Sequence, residues 1–232
     1  MEDMVNAQEM GNYNVDIALV IDGTASMRPI IEEVKRNALS FNEKFLAAME
    51  REGKSVSEVR VKVIVFRDFA CDSKPLEESE FFKLPEDNER FHAFVSGIEA
   101  IGGGDVPENA LEAIATAIKS DWTTGGRKRR HAVLLFTDAP ALALGDRAGS
   151  PNYPQGMPKD LAELGDWWEG NDQSFESTYQ SNAGRLVVFA PNAYPWEDLQ
   201  TWNRYWPAFS KAGSGLEDVD IQAAIDLLVG SC

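Results

Sequence analysis

Cysteine and histidine are scarce in this chain, with two of each among 232 residues. Cys71 and Cys232 make neither a disulfide framework nor a metal-ligand spacing, so both read as free thiols. With His92 and His131 alone, a zinc centre built on several imidazoles is excluded, and any metal held here takes oxygen donors. Long apolar runs are missing too. No stretch approaches the roughly 18 to 20 residues of a membrane span, and the N-terminal residues show no basic start leading into an apolar segment. The expectation is a cytoplasmic protein with no membrane insertion. Positive charge is in deficit: 22 Lys and Arg face 38 Asp and Glu, and the net charge of −16 repels a phosphate backbone at long range. Nucleic acid is not expected as a partner.

What is present is ordinary globular material, 44% hydrophobic and 26% charged, enough for a sizeable core. The length exceeds the ~150 residues usual for a domain, which suggests one domain over 15–232 with an insertion at about 141–183. Residues 1–14, polar and aperiodic, read as a flexible leader.

Nearly continuous apolar runs over 15–21, 132–137 and 186–190 suit strands buried on both faces, and 59–66 begins by alternating and ends apolar. A short edge strand is expected over 81–84. Apolar residues at steps of three and four predict helices over 27–50, 88–99, 110–118, 159–168, 196–209 and 219–229, with Pro107 in the first turn of the third. The five tryptophans of 167–206 fall in these stripes and read as packing. Strands alternating with amphipathic helices give an α/β fold: a doubly wound, mostly parallel central sheet flanked by helices on both faces. In such sheets ligands bind beyond the carboxyl ends of the strands. The first and third apolar strands both end there on an aspartate, Asp22 and Asp138.

Asp22-Gly23-Thr24-Ala25-Ser26 places a carboxylate and two hydroxyls at every second position of a strand-to-helix turn, so three oxygens can converge. A hard divalent ion wants more oxygens than these. Asp138, Asp105 in the glycine-rich loop and Glu108 beyond it are the candidates, and three consecutive glycines let that loop fold tightly. Each residue has a plainer reading: Asp22 and Asp105 as helix caps, Asp138 as a turn residue. Arg127-Lys128-Arg129-Arg130 reads as a solvated loop and His131 as a strand-edge residue.

The Asp-x-Thr-x-Ser run, Gly-Gly-Gly-Asp-x-Pro-Glu and the strand ending Phe-Thr-Asp-Ala-Pro together resemble a von Willebrand factor type A domain with a metal-ion-dependent adhesion site, of the stand-alone intracellular type. The resemblance spans about 15–229. Thr24 stands where Ser is common, which keeps the hydroxyl. The resemblance implies metal ligation by Asp22, Thr24 and Ser26 from the first loop, Asp105 or Glu108 from the second and Asp138 from the third. The ion would be Mg²⁺, Mn²⁺ or Ca²⁺. It also implies a binding module rather than an enzyme, taking an acidic residue of a protein partner into the metal sphere, with kinase, phosphatase or ATPase systems as the partner class. Two alternatives stay open: a metal-independent scaffold, and a Mg-dependent phosphotransfer enzyme. Asp-Gly-Thr also resembles the haloacid dehalogenase-type phosphatases, but their nucleophilic aspartate would fall at Val20, which cannot be phosphorylated. Neither a Gly-x-Ser-x-Gly elbow nor a phosphate-binding Gly-x-x-x-x-Gly-Lys-Ser/Thr loop is present.

Overall fold

The computed structural model describes residues 12–103, 107–210, 216 and 220–232. In chain order the elements are β1 (Tyr13–Asp22), α1 (Arg28–Asn37), α2 (Phe41–Arg51), β2 (Val56–Phe66), β3 (Leu76–Glu78), β4 (Phe82–Leu84) and α3 (Asn88–Ser96). There follow α4 (Ala110–Ile118), β5 (Lys128–Phe136), α5 (Leu161–Glu169), β6 (Gly184–Pro191), β7 (Tyr205–Ser210) and α6 (Ile221–Ser231). The sheet order is β3-β2-β1-β5-β6-β7, with β4 also pairing β2. β1, β2, β5, β6 and β7 run parallel, and β3 and β4 join β2 antiparallel.

β1 sits at the middle because its run is apolar on both faces, and alternate residues feed two separate cores. Val15, Ile17, Leu19 and Ile21 pack with α1, α2, α3 and α6. Ala18 and Val20 point the other way, toward α4, α5 and the indoles of Trp122, Trp168 and Trp196. The expected doubly wound sheet with helices on both faces is what the chain forms.

Several elements depart from the sequence reading. Tyr13 and Asn14, assigned to a leader, already pair with Lys128 and Arg129 of β5. The helix expected over 27–50 breaks into α1 and α2 with a tight 3-10 turn at Ala38–Ser40 between them. There the buried Asn37 sends its side-chain amide to Glu33 O (2.8 Å), and the ladder shortens to Ala38 N on Lys35 O. α4 starts at Ala110, so Pro107 precedes it rather than opening it. The Lys128, Arg129 and Arg130 end of the basic run is the start of β5, not a loop.

The largest difference lies at 196–209. The spacing of Leu199, Trp202, Tyr205 and Trp206 imitates a helix, but the segment is a 3-10 turn, Asp198–Thr201, followed by the edge strand β7. Pro207 has no N–H to give a helix and its ring would strike the carbonyl four residues back. On an edge the missing donor costs nothing. The last helix begins at Ile221; Val219 lies outside the described residues.

His131 is interior, not at a strand edge. It lies against Trp122 with ring centroids 5.0 Å apart, its Nε2 on Thr123 O (3.0 Å) and its Nδ1 accepting Gln180 N (3.2 Å). An Nδ1 that accepts a backbone N–H belongs to the neutral ring. Burial pushes its pKa down to about 4. The unfolded chain takes this proton near 6.5 and the folded chain does not until about 4, so stability is lost as pH falls through that window, by about 3 kcal/mol. His131→Phe keeps the stacking and removes the titration. Urea unfolding at a series of pH values is expected to show a variant less stable at pH 7 but with a shallower decline between 6.5 and 4.

Candidate metal centre

β1 ends between the ends of β2 and β5, which are its two hydrogen-bonded neighbours. The turn leaving β1 is pinned at Gly23, whose N–H donates to Phe66 O (2.8 Å) and whose carbonyl accepts Ile101 N (3.0 Å). A Cβ added at Gly23 would fall 2.6 Å from Val65 Cγ1 and 2.7 Å from Arg67 Cζ, so the close approach of the loops demands glycine.

The turn gathers the polar atoms foreseen in the sequence. Thr24 donates both its N–H (3.0 Å) and its Oγ1 (2.6 Å) to Asp22 Oδ1. Thr24 Oγ1 lies 3.3 Å from Ser26 Oγ, and Ser26 Oγ donates to Asp138 Oδ1 (3.1 Å), 112 positions further along the chain. Thr137 Oγ1 donates to the other oxygen, Asp22 Oδ2 (2.8 Å), and accepts Ala139 N (3.1 Å). Thr137 was not among the residues singled out from the sequence, although it stands in the quoted Phe-Thr-Asp run. Its role follows from the register that sets the end of β5 beside the end of β1.

Asp22 is fully buried while Ser26 is exposed and Asp138 half-buried. Loss of water raises the Asp22 pKa to about 6, the Thr24 and Thr137 hydrogen bonds oppose the shift, and the Asp138 charge adds to it.

The second loop approaches from the side. Gly102 and Gly103 adopt φ of 79° and 81°, the left-handed region that favours glycine. Asp105 lies outside the described residues. Glu108 is buried, with its N–H on Pro140 O (3.1 Å) and its carbonyl accepting Leu142 N (2.8 Å), which ties this loop to the one leaving β5. A Cβ added at Gly103 would lie 3.0 Å from Thr24 Cβ and 3.7 Å from Glu108 Oε1, so only a glycine backbone separates the two. Among the described residues no three Asp, Glu, His or Cys side chains gather as a ligand group. The convergence is of two carboxylates and three hydroxyls.

Behind the loops stands Arg67, 1% exposed, which was not among the residues singled out from the sequence. Its guanidinium donates to Gly23 O (3.1 Å), Lys74 O (2.9 Å), Glu99 O (2.7 Å) and Glu77 Oε1 (2.9 Å). Next to it the buried Asp68 takes a two-pronged ion pair from Arg147 (3.0 and 2.7 Å). Asn109, directly after Glu108, accepts Phe69 N (3.0 Å) and donates to Glu112 Oε2 (3.3 Å), and Glu112 Oε1 accepts Tyr153 OH (3.0 Å). Burial raises the Glu112 pKa. Through these bonds the segment inserted after β5 braces the second loop.

Comparison with known proteins agrees with this architecture. A family model described as the von Willebrand factor A domain matches residues 16–145, more than half of the chain. The chain is 26% identical over 147 residues to the alpha-protein kinase vwkA of Dictyostelium discoideum, covering 63% of this chain and 22% of that protein. Among solved structures, the pilus adhesin SpaC of Lactobacillus rhamnosus GG is similar with a TM-score of 0.51 at 11% identity, over 94% of this chain and 30% of that one. The vWF domain of the type V pili tip protein Mfa5 from Porphyromonas gingivalis gives a TM-score of 0.50 at 12% identity, over 94% of both chains. The chain thus spans about a fifth of the kinase and under a third of SpaC, and at these identities the structural likeness speaks for the fold alone.

Proposed function

The chain belongs to the von Willebrand factor A domain family, and on that premise we propose that the cluster at the ends of β1 and β5 binds a divalent cation, Mg²⁺ before Mn²⁺ or Ca²⁺, and through it an acidic side chain of a partner protein. The observation that carries this reading is the convergence of four oxygen-bearing side chains: Thr24 Oγ1 donates to Asp22, Ser26 Oγ donates to Asp138, and the two hydroxyl oxygens lie 3.3 Å apart with no proton left to share between them. Among the described residues neither carboxylate has a cationic side chain as partner. A desolvated carboxylate close to a second one is unfavourable until a positive charge joins them.

The donor set fits a hard cation: carboxylate and hydroxyl oxygens only, with no imidazole or thiolate. Asp22, Thr24, Ser26 and Asp138 would hold the ion, with Glu108 or Asp105 completing the sphere from the second loop. Thr137 fixes the Asp22 carboxylate, and Arg67 holds the loops in place. With few carboxylates around it, a bound ion would remain electrophilic and leave a coordination position for a partner's carboxylate. We read the role as binding rather than catalysis, in keeping with a family of interaction domains. Of the kinase, phosphatase or ATPase systems that could supply the partner, the sequence shared with a kinase-named protein favours the first.

Isothermal titration of Mg²⁺ and Mn²⁺ into the chelator-stripped protein and its Asp138→Ala variant tests the site. One-to-one binding that disappears in the variant is the expected result. Heat of equal size in both proteins would displace the ion from this cluster, and absence of binding in the intact protein would leave a metal-independent scaffold.

A further inference from the structure

The basic run is the one sequence motif that the metal centre does not use, and it lies at the opposite end of β5, about 25 to 30 Å away at strand rise. Many other cations of this acidic chain are matched with carboxylates, as Lys35 is with Glu32, Arg60 with Asp16, Lys62 with Glu78, Arg147 with Asp68 and Arg204 with Glu169, while Arg28, Lys54 and Lys119 turn singly to carbonyls. Arg127, Lys128, Arg129 and Arg130 pair with no Asp or Glu side chain among the described residues.

Two of them are held in place by side-chain amide and backbone oxygens. Arg129 donates to Gln180 Oε1 (2.8 Å) and to the carbonyls of Thr124 (3.2 Å) and Gly126. Arg130 donates to Arg129 O (2.7 Å) and Cys232 O (2.8 Å) and lies over the Tyr13 ring, 4.8 Å from its centroid. Its Nε is buried and meets no acceptor among the described residues. Arg185, beside them, has its pKa lowered by burial and by the Arg130 charge. Like charges are thus assembled, partly desolvated and oriented, and the charge at Cys232 offsets those of Arg130 and Arg185 only in part.

Arg127, Lys128, Arg129, Arg130, Gln180 and Asn182 line a cavity of about 140 Å³. That is the room of four or five waters at ~30 Å³ each, enough for one phosphate-sized group. Gln180 gives its oxygen to Arg129, which leaves its Nε2 hydrogens as further donors. Arg127 and Lys128 are exposed at the rim and extend the positive surface past the reach of a single anion. The Arg129 fork, fixed in advance by Gln180, matches the oxygens of a phosphate dianion, and less side-chain freedom is lost on binding.

We propose that this end of β5 is a second binding site, a basic pocket that takes a phosphorylated segment of a partner protein. A flexible peptide presents one dianion to the pocket and its flanking acidic residues to the rim. A nucleic acid brings a long polyanion against a body of charge −16.

The test is fluorescence anisotropy with a labelled, degenerate peptide pool carrying one central phosphoserine, beside the same pool with serine. The full chain is used, with chelator present so that the metal centre plays no part. Tighter binding of the phosphorylated pool by about tenfold or more is expected. That margin should vanish in the exposed double variant Arg127→Ala/Lys128→Ala, with circular dichroism unchanged, and in Arg129→Gln. Equal affinity for the two pools overturns the proposal, as does undiminished binding by the double variant. Tighter binding of a single-stranded RNA oligonucleotide would overturn it in favour of nucleic acid.

Discussion

Asp22→Asn is expected to abolish cation binding and, with chelator present, to raise the stability of the protein at pH 7. The sign follows from the raised pKa. The unfolded chain releases this proton near 3.8 and the folded chain holds it until about 6. Stability from the group is therefore present below 3.8 and lost as pH rises through 6, a cost at pH 7 of about 3 kcal/mol. Asparagine keeps an oxygen for Thr24 and removes the charge. A gain of up to about 3 kcal/mol, or about 6 to 12 °C in Tm for a chain of this size, follows. Thermal scans in EDTA and then in Mg²⁺ check it: the variant should start higher than wild type and gain nothing from the ion. A lower Tm in EDTA would mean that Asp22 is a structural hydrogen-bond acceptor and no more. Between pH 6 and 4 the Asp22 and His131 contributions have opposite signs in the wild type, so the two single variants are needed to separate them.

Arg67→Ala should be the more damaging change, costing about 4 kcal/mol or more. It leaves the carbonyls of Lys74 and Glu99 without their donor, takes one of two donors from Gly23 O and removes a partner of Glu77. Arg67→Lys keeps the charge but cannot serve four acceptors with one ammonium, and is expected to fall between the two. Urea unfolding gives the stability, and Mg²⁺ titration of the lysine variant should show weaker ion binding because Gly23 is no longer fixed. Unaltered stability in the alanine variant would mean that water replaces the guanidinium and that the loops hold themselves.

The contrast between Asp22 and Arg67 shows what a single sequence makes legible. The central strands are plain because burial on both faces forces a continuous apolar run, and the aspartates that end such runs stand out against it. Asp22, Thr24, Ser26 and Asp138 could be read by spacing and position. Arg67 could not, since an arginine after a strand looks solvated until carbonyls from positions 23, 74 and 99 are brought around it by the fold. Thr137 was hidden in the same way, its partner lying 115 positions earlier. At β7 the signal itself misled: aromatic residues at helical spacing were heard above Pro207, whose missing N–H only an edge strand or turn accommodates. The break at Asn37 is a side chain competing for one carbonyl, a contact invisible to periodicity.

The placement of β1 and β5 side by side at the centre of the sheet has a mechanical meaning. A load applied at Asp22 and Asp138 pulls along the axes of two strands, each laddered to a neighbour on both sides. Such tension shears many backbone hydrogen bonds at once instead of peeling them one after another. A ligand held there as proposed would be anchored on the two strands with the most backbone ladder beside them, while β7 and the short β3 and β4, at the margins, would yield first.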